Sequence, residues 1–327
     1  MIHNQPYNIY IASCDKNGGI YRFGMDKNGT LKKIGFFSMD RPMYMTIKDG
    51  KMYILLRAPF KDNNESGLVV YDIDGNGDLV NPSDIVSTKG EVACHLTVID
   101  EKVYCVNYIC GSVIALPEGK LVTHEGKGIN PKRQEKAHTH FVTLTPDGKY
   151  IAVTDLGLDT IFIYDKELNY ISSCKVPDGH GVRHLIFSPD GKYCFSANEL
   201  ESTVSVLEYN SGELKIVETQ SCIPSDFKED TTASAIRFSD GEIYVSNRGH
   251  NSIAKFEYKD NKLKKLRVNS CYGDFPRDFE IIGDYIVSTN EKSNSLTVML
   301  KKNMELVYVQ TDIPSPICVV CDGISVK

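Results

Sequence analysis

The stretch RHLIFSPDGKYCFSANELESTVSVLEY, residues 183–209, recurs along the chain in altered copies. It reads as a strand, a Pro-Asp-Gly turn, a second strand, a polar loop and a third strand. Short β-branched and aromatic runs alternate there with turn-forming residues. The same order returns in HFVTLTPDGKYIAVTDLGLDTIFIYD (140–165). Shorter forms are SAIRFSDGEIYVSNRGHNSIAKFEY (234–258) and RDFEIIGDYIVSTNEKSNSLTVML (277–300), and weaker copies start at 43 and 94. Successive copies lie about 40–50 residues apart, the period of a propeller blade. A fourth strand usually follows, as in ELKIVETQSC (213–222). No convincing amphipathic helix interrupts the pattern, which excludes alternating strand–helix folds.

Six copies are complete and a seventh is split. YNIYIASC (7–14), GGIYRFGMD (18–26) and TLKKIGFFS (30–38) supply three strands, and SPICVVCDG (315–323) supplies the missing first strand. The expected fold is therefore all-β: one seven-bladed propeller spanning 1–327, closed by the C-terminal strand completing the N-terminal blade. The absence of tryptophan sets the chain apart from WD-repeat propellers. A closed ring needs no partner, so a monomer or weak homo-oligomer is expected.

Charge narrows the partners. A net charge of −6 with both signs interspersed argues against a nucleic-acid or membrane-surface binder. No apolar run reaches the length of a membrane helix. The N-terminus, MIHNQPYNIYIASC, carries no signal-peptide pattern. Most of the ten cysteines sit inside apolar strand-like runs, which reads as buried free thiols in a cytoplasmic protein. Cys318 and Cys321 form a CxxC, but three positions apart on a strand they face opposite ways, and no second ligand pair follows. DIDGNGDLVNPS (72–83) resembles a calcium loop, yet Ser83 stands where a bidentate carboxylate is needed, so it reads as a hairpin turn. Neither a metal nor a cofactor is expected.

In a propeller the start of each first strand and the end of each second strand meet at one channel mouth. In register, the first-strand position is Met43, Cys94, His140, Arg183, Ser234, Arg277 and Pro316. The second-strand ends are Arg57, Asn107–Tyr108, Asp155, Asn198–Glu199, Asn247–Arg248 and Asn290–Glu291. His140, Arg183, Glu199, Arg248 and Arg277 come from adjacent copies and should share one side of the mouth. His138 lies one step back in the approaching loop. Converging arginines repel unless an anion or carboxylates compensate them. Two readings stay open from the residues: a small-anion site, or an ion-pair network in which Glu199 and Glu291 satisfy the arginines.

AHTHFVTLTPDGKYIAVTDLGLDTIFIY, GVRHLIFSPDGKYCFSANELESTVSVLEY, ASAIRFSDGEIYVSNRGHNSIAKFEY and FPRDFEIIGDYIVSTNE resemble the lactonase family of seven-bladed propellers. That family includes bacterial cycloisomerase-type 6-phosphogluconolactonases and fungal 3-carboxy-cis,cis-muconate lactonizing enzymes. The resemblance covers nearly the whole chain and is strongest in blades three to seven. It implies catalytic roles for His140, Glu199 and Arg183, with Arg248 and Arg277 on the substrate. Arg57, Asn198, Asn290 and His138 are further substrate-side candidates. The chain departs from the family in one-residue deletions at the turns of blades two, three, six and seven, and in Arg57. The implied activity is hydrolysis of a small anionic lactone, foremost 6-phosphoglucono-1,5-lactone, with His140 or Glu199 taking a proton from water. Two alternatives remain at this stage: muconate-type lactonization of a di- or tricarboxylate, and a non-catalytic binding platform.

Overall fold

Each repeat folds into an antiparallel sheet of its own. The computed structural model describes residues 7–259 and 262–322; residues 1–6, part of the N-terminal stretch read above, lie outside them. Blades are numbered from the N-terminus. Blade four is representative: Thr139–Leu144, Tyr150–Asp155, Thr160–Asp165 and Tyr170–Lys175 pair in that order. Blade two carries five strands, because Leu79–Val80 and Val86–Glu91 both pair with Glu65–Ile73. No described element is a helix, and none is long and apolar enough to cross a membrane.

The Pro-Asp-Gly turns explain the first hairpin of blades four and five. Gly148 and Gly191 adopt φ of 71° and 70°, where a side chain would be strained. Their amides close onto Thr145 and Ser188 carbonyls, both at 2.9 Å. The hydroxyls of Thr145 and Ser188 donate to Asp147 and Asp190, both at 2.6 Å. The calcium-like stretch is likewise a hairpin turn, in which Asp74 accepts the Asn76 and Asp78 amides, each at 2.8 Å.

Second strands are buried on both faces, as in Ile151–Asp155, because neighbouring blades cover them. Outer strands such as Leu31–Ser38 are mostly open to solvent. A separate apolar cluster fills the space between each neighbouring pair of blades. Each buried Val, Leu or Ile there contributes roughly 1.5–3 kcal/mol. Cys318 joins the cluster between blades one and two, whereas Cys321 packs toward blade seven, so the CxxC thiols do face opposite sides.

Ring closure follows the expected scheme. Pro316–Asp322 pairs antiparallel with Tyr7–Ser13 and forms the inner strand of blade one. Ile317 and Val319 are buried against blades two and seven. Deleting residues 316–327 leaves one long edge unpaired and opens the three inter-blade clusters that Ile317, Cys318 and Val319 enter. Loss of a cooperative melt by circular dichroism is the expected result; an unchanged melt would contradict closure by this strand.

Candidate functional site

The first and second strands of every blade mispair by one residue at the same height. In blade two Pro42 faces Leu56 and Tyr44 faces Leu55, so Met43 is extra. The same bulge isolates Cys94, His140, Arg183, Arg277 and Ile317, and in blade six it falls at Ser234–Ala235. A β-bulge re-aims one side chain. Met43, Cys94, His140, Arg183, Arg277 and Ile317 thereby line one cavity of about 20 Å³ on the axis, with Tyr44, His184 and Asp278. That volume suits one water molecule. The expected slot in blade one is corrected here. The bulge gives it to Ile317, while Pro316 pairs regularly with Ser13.

Glu199 is the hub of the site. Its amide donates to the Gly181 carbonyl at 2.7 Å, and its carbonyl accepts from Ala233 at 3.0 Å, which fixes it between blades five and six. Oε2 lies 3.0 Å from Arg183 Nε and 2.8 Å from Arg248 Nη2. Oε1 takes Arg133 Nη2 at 2.5 Å. Arg277 pairs separately with Glu291 at 3.2 Å. Burial raises the Glu199 carboxyl, but Arg248, Arg183 and Arg133 more than offset this and hold it well below the usual carboxylate range. Glu199 is therefore an anion that binds guanidinium, and a weak base.

His140 is buried, and its Nδ1 has no partner among the described residues. Burial first, then Arg183, hold it well below the ordinary histidine value. It is neutral at neutral pH and can accept a proton. Arg183 passes Nη1–H to the next ring, His184 Nε2, at 2.9 Å. His184 and His95 are also lowered, by burial foremost.

These three histidines set a pH dependence. Each resists protonation when folded but titrates near 6.5 when unfolded. Their contribution is fully present above about pH 6.5 and is lost as pH falls from there toward the folded values. Urea midpoints should therefore decline progressively below pH 6.5; constant midpoints down to pH 5 would contradict their burial as neutral rings.

The remaining expected residues divide. His138 is buried with its ring stacked on Tyr108 at 4.5 Å between centroids, and it bonds the Tyr108 carbonyl and Glu135. It backs the Tyr108 ring, which meets His140 edge-on at 5.7 Å. Arg57 is exposed and lies outside the Glu199 network, beside the Cys14 thiol. Burial pushes that thiol up while Arg57 and Arg277 pull it down. The placement of Asn198 and Asn290 at the mouth is corrected. Both are fully buried, and their amides bond Thr203 and Ser205, and Ser295 and Thr297, within their own blades. Asp155 likewise turns inward, bonding His124 Nδ1 at 2.7 Å and the His138 amide at 2.8 Å.

Arg133 escaped the strand-by-strand reading because it sits in the loop 124–138, outside any repeat. The length of that connection between Lys120–Thr123 and Thr139–Leu144 was the available signal. Among the described residues, no group of three or more His, Cys, Asp or Glu side chains could hold a metal ion.

The family model of the lactonase seven-bladed β-propellers matches residues 8–321. The chain belongs to the lactonase family of seven-bladed β-propellers. An uncharacterised Staphylococcus aureus protein is 34% identical to this chain over 326 residues, covering 91% of this chain and 93% of that one. A solved Lactobacillus plantarum protein is 29% identical with a TM-score of 0.87, covering 97% of this chain and 99% of its own. A periplasmic gluconolactonase of Pseudomonas aeruginosa matches at 22% identity and a TM-score of 0.85, covering 97% and 99% of the two chains. At that identity the likeness speaks for the fold.

Proposed function

We propose that the chain hydrolyses a phosphorylated sugar lactone, foremost 6-phosphoglucono-1,5-lactone, at the arginine-ringed mouth. The observation that carries this reading is charge. Among the described residues, Arg133, Arg183, Arg248 and Arg277 form ion pairs with only Glu199 and Glu291, so two positive charges are left uncompensated there. An anionic ligand relieves that excess. Neutral His140 stands inside the same ring.

The reaction follows from these roles. His140 takes a proton from water as the water oxygen bonds the lactone carbonyl carbon. The arginines stabilise the oxyanion that develops. As the tetrahedral intermediate collapses, the ring C–O bond breaks and His140 returns its proton to the leaving ring oxygen. The product is a hydroxy acid, whose carboxyl releases a proton at neutral pH. Glu199 holds the guanidiniums in place and does not move a proton. All the groups come from one chain, so a monomer suffices. The ten free cysteines support a reducing compartment such as the cytoplasm.

A substrate panel tests the reading. Acid release from 6-phosphoglucono-1,5-lactone should exceed that from glucono-1,5-lactone at equal concentration, each corrected for spontaneous opening. Loss of ultraviolet absorbance from 3-carboxy-cis,cis-muconate without lactone hydrolysis would replace it with the cycloisomerase reaction. Binding without turnover of any member would leave a binding platform.

A further inference from the structure

We propose that Arg133 reads the remote anionic group of the substrate, a phosphate or carboxylate away from the ring ester. This rests on the lactone reading above and assigns its selectivity to one loop. The four arginines are not equivalent. The side chains of Arg183 and Arg248 are 4% and 7% exposed, and both address Glu199 Oε2. The Arg133 side chain is 40% exposed. It spends only Nη2, on Glu199 and on the Tyr108 hydroxyl at 3.3 Å. Among the described residues nothing engages its Nε or Nη1. A guanidinium carries five donors in a planar fork that matches a phosphate or carboxylate edge. Arg133 is thus the most exposed arginine of the Glu199 network, the one whose spare donors a ligand in solvent can reach.

Its loop is held in place beforehand. Asn130 Oδ1 accepts the Lys132 and Arg133 amides at 3.1 and 3.2 Å. Gln134, the next residue, is fully buried. Its Nε2 donates to the Leu156 carbonyl at 2.9 Å and to Asp159 Oδ1 at 2.8 Å, and its Oε1 accepts from Asn130 at 3.0 Å. Asp159 in turn accepts the Gly179 and Gly181 amides at 2.8 and 2.6 Å, just before Arg183. The loop is stapled across blades four and five. A guanidinium fixed in this way loses little freedom on binding, which favours affinity and discrimination. Positive charge in excess at the mouth adds attraction for any anion, but only a fixed fork selects where on the ligand the anion must lie.

The test uses the full chain and two stable hydroxy acids, 6-phospho-D-gluconate and D-gluconate, titrated by calorimetry. The wild type should bind the phosphorylated acid at least about tenfold more tightly. Arg133→Gln should bring the two within about twofold. Arg133→Lys should give an intermediate preference, because it keeps the charge and loses the fork; it also reports if the glutamine variant does not fold. Lys132→Gln, on the same loop, should keep the wild-type preference. Equal binding of both acids by the wild type, or an intact tenfold preference in Arg133→Gln, overturns the proposal. Acid release from glucono-1,5-lactone by the wild type reports on lactone hydrolysis separately, so the two ideas fail independently.

Discussion

Glu199→Gln is expected to destabilise the folded chain by roughly 3–5 kcal/mol and to remove most of its activity. The amide keeps the shape and removes the charge that Arg183 and Arg248 address at 3.0 and 2.8 Å. Both guanidiniums are nearly inaccessible to water, so they are left buried, adjacent and uncompensated. The same change withdraws the carboxylate that raises His140, whose proton affinity should fall further. The pH sign follows from the depressed carboxyl. Its contribution is present above the unfolded value near 4.3 and is lost as pH falls from there toward the folded value. Denaturant titrations at pH 7 and pH 3.5 check this: the gap between wild type and variant should narrow at the lower pH. A variant as stable as the wild type at pH 7 would mean that the arginines find other partners.

His140→Asn is expected to lower kcat by roughly 10²–10⁴-fold with little change in KM or melting temperature. The ring Nδ1 has no partner among the described residues, so its removal breaks no internal hydrogen bond there. The contrast with Glu199 is diagnostic: one residue matters to turnover, the other to turnover and stability together. The wild-type rate should stay level through neutral pH and fall only well below 6.5, where the depressed His140 becomes protonated. An acid limb at or above pH 6.5 would assign the base to another group.

Most of the ring was legible in the sequence, because blade periodicity is a local signal repeated along the chain. The Pro-Asp-Gly turns set the register of blades four and five, and the split seventh copy foretold the pairing of Pro316–Asp322 with Tyr7–Ser13. The bulge was not legible. An extra residue between two strands is a property of their pairing, and nothing in PSPIC marks Ile317 over Pro316. Asn198 and Asn290 misled for a related reason: a polar residue at a blade top serves equally well to hold the turn beneath it. Arg133 lay outside any repeat, so strand register had no place for it. The convergence of His140, Arg183, Glu199, Arg248 and Arg277 was readable because four consecutive blades carry them at matching heights. The number of arginines that reach the Glu199 carboxylate, on which the proposed choice of His140 as base rests, is set only by the folded geometry.

The most direct measurement is acid release from 6-phosphoglucono-1,5-lactone at pH 7, comparing wild type, His140→Asn and the uncatalysed reaction. The account predicts a wild-type rate far above the spontaneous one and a His140→Asn rate close to it. A wild-type rate equal to spontaneous opening, or a His140→Asn rate equal to wild type, would contradict it.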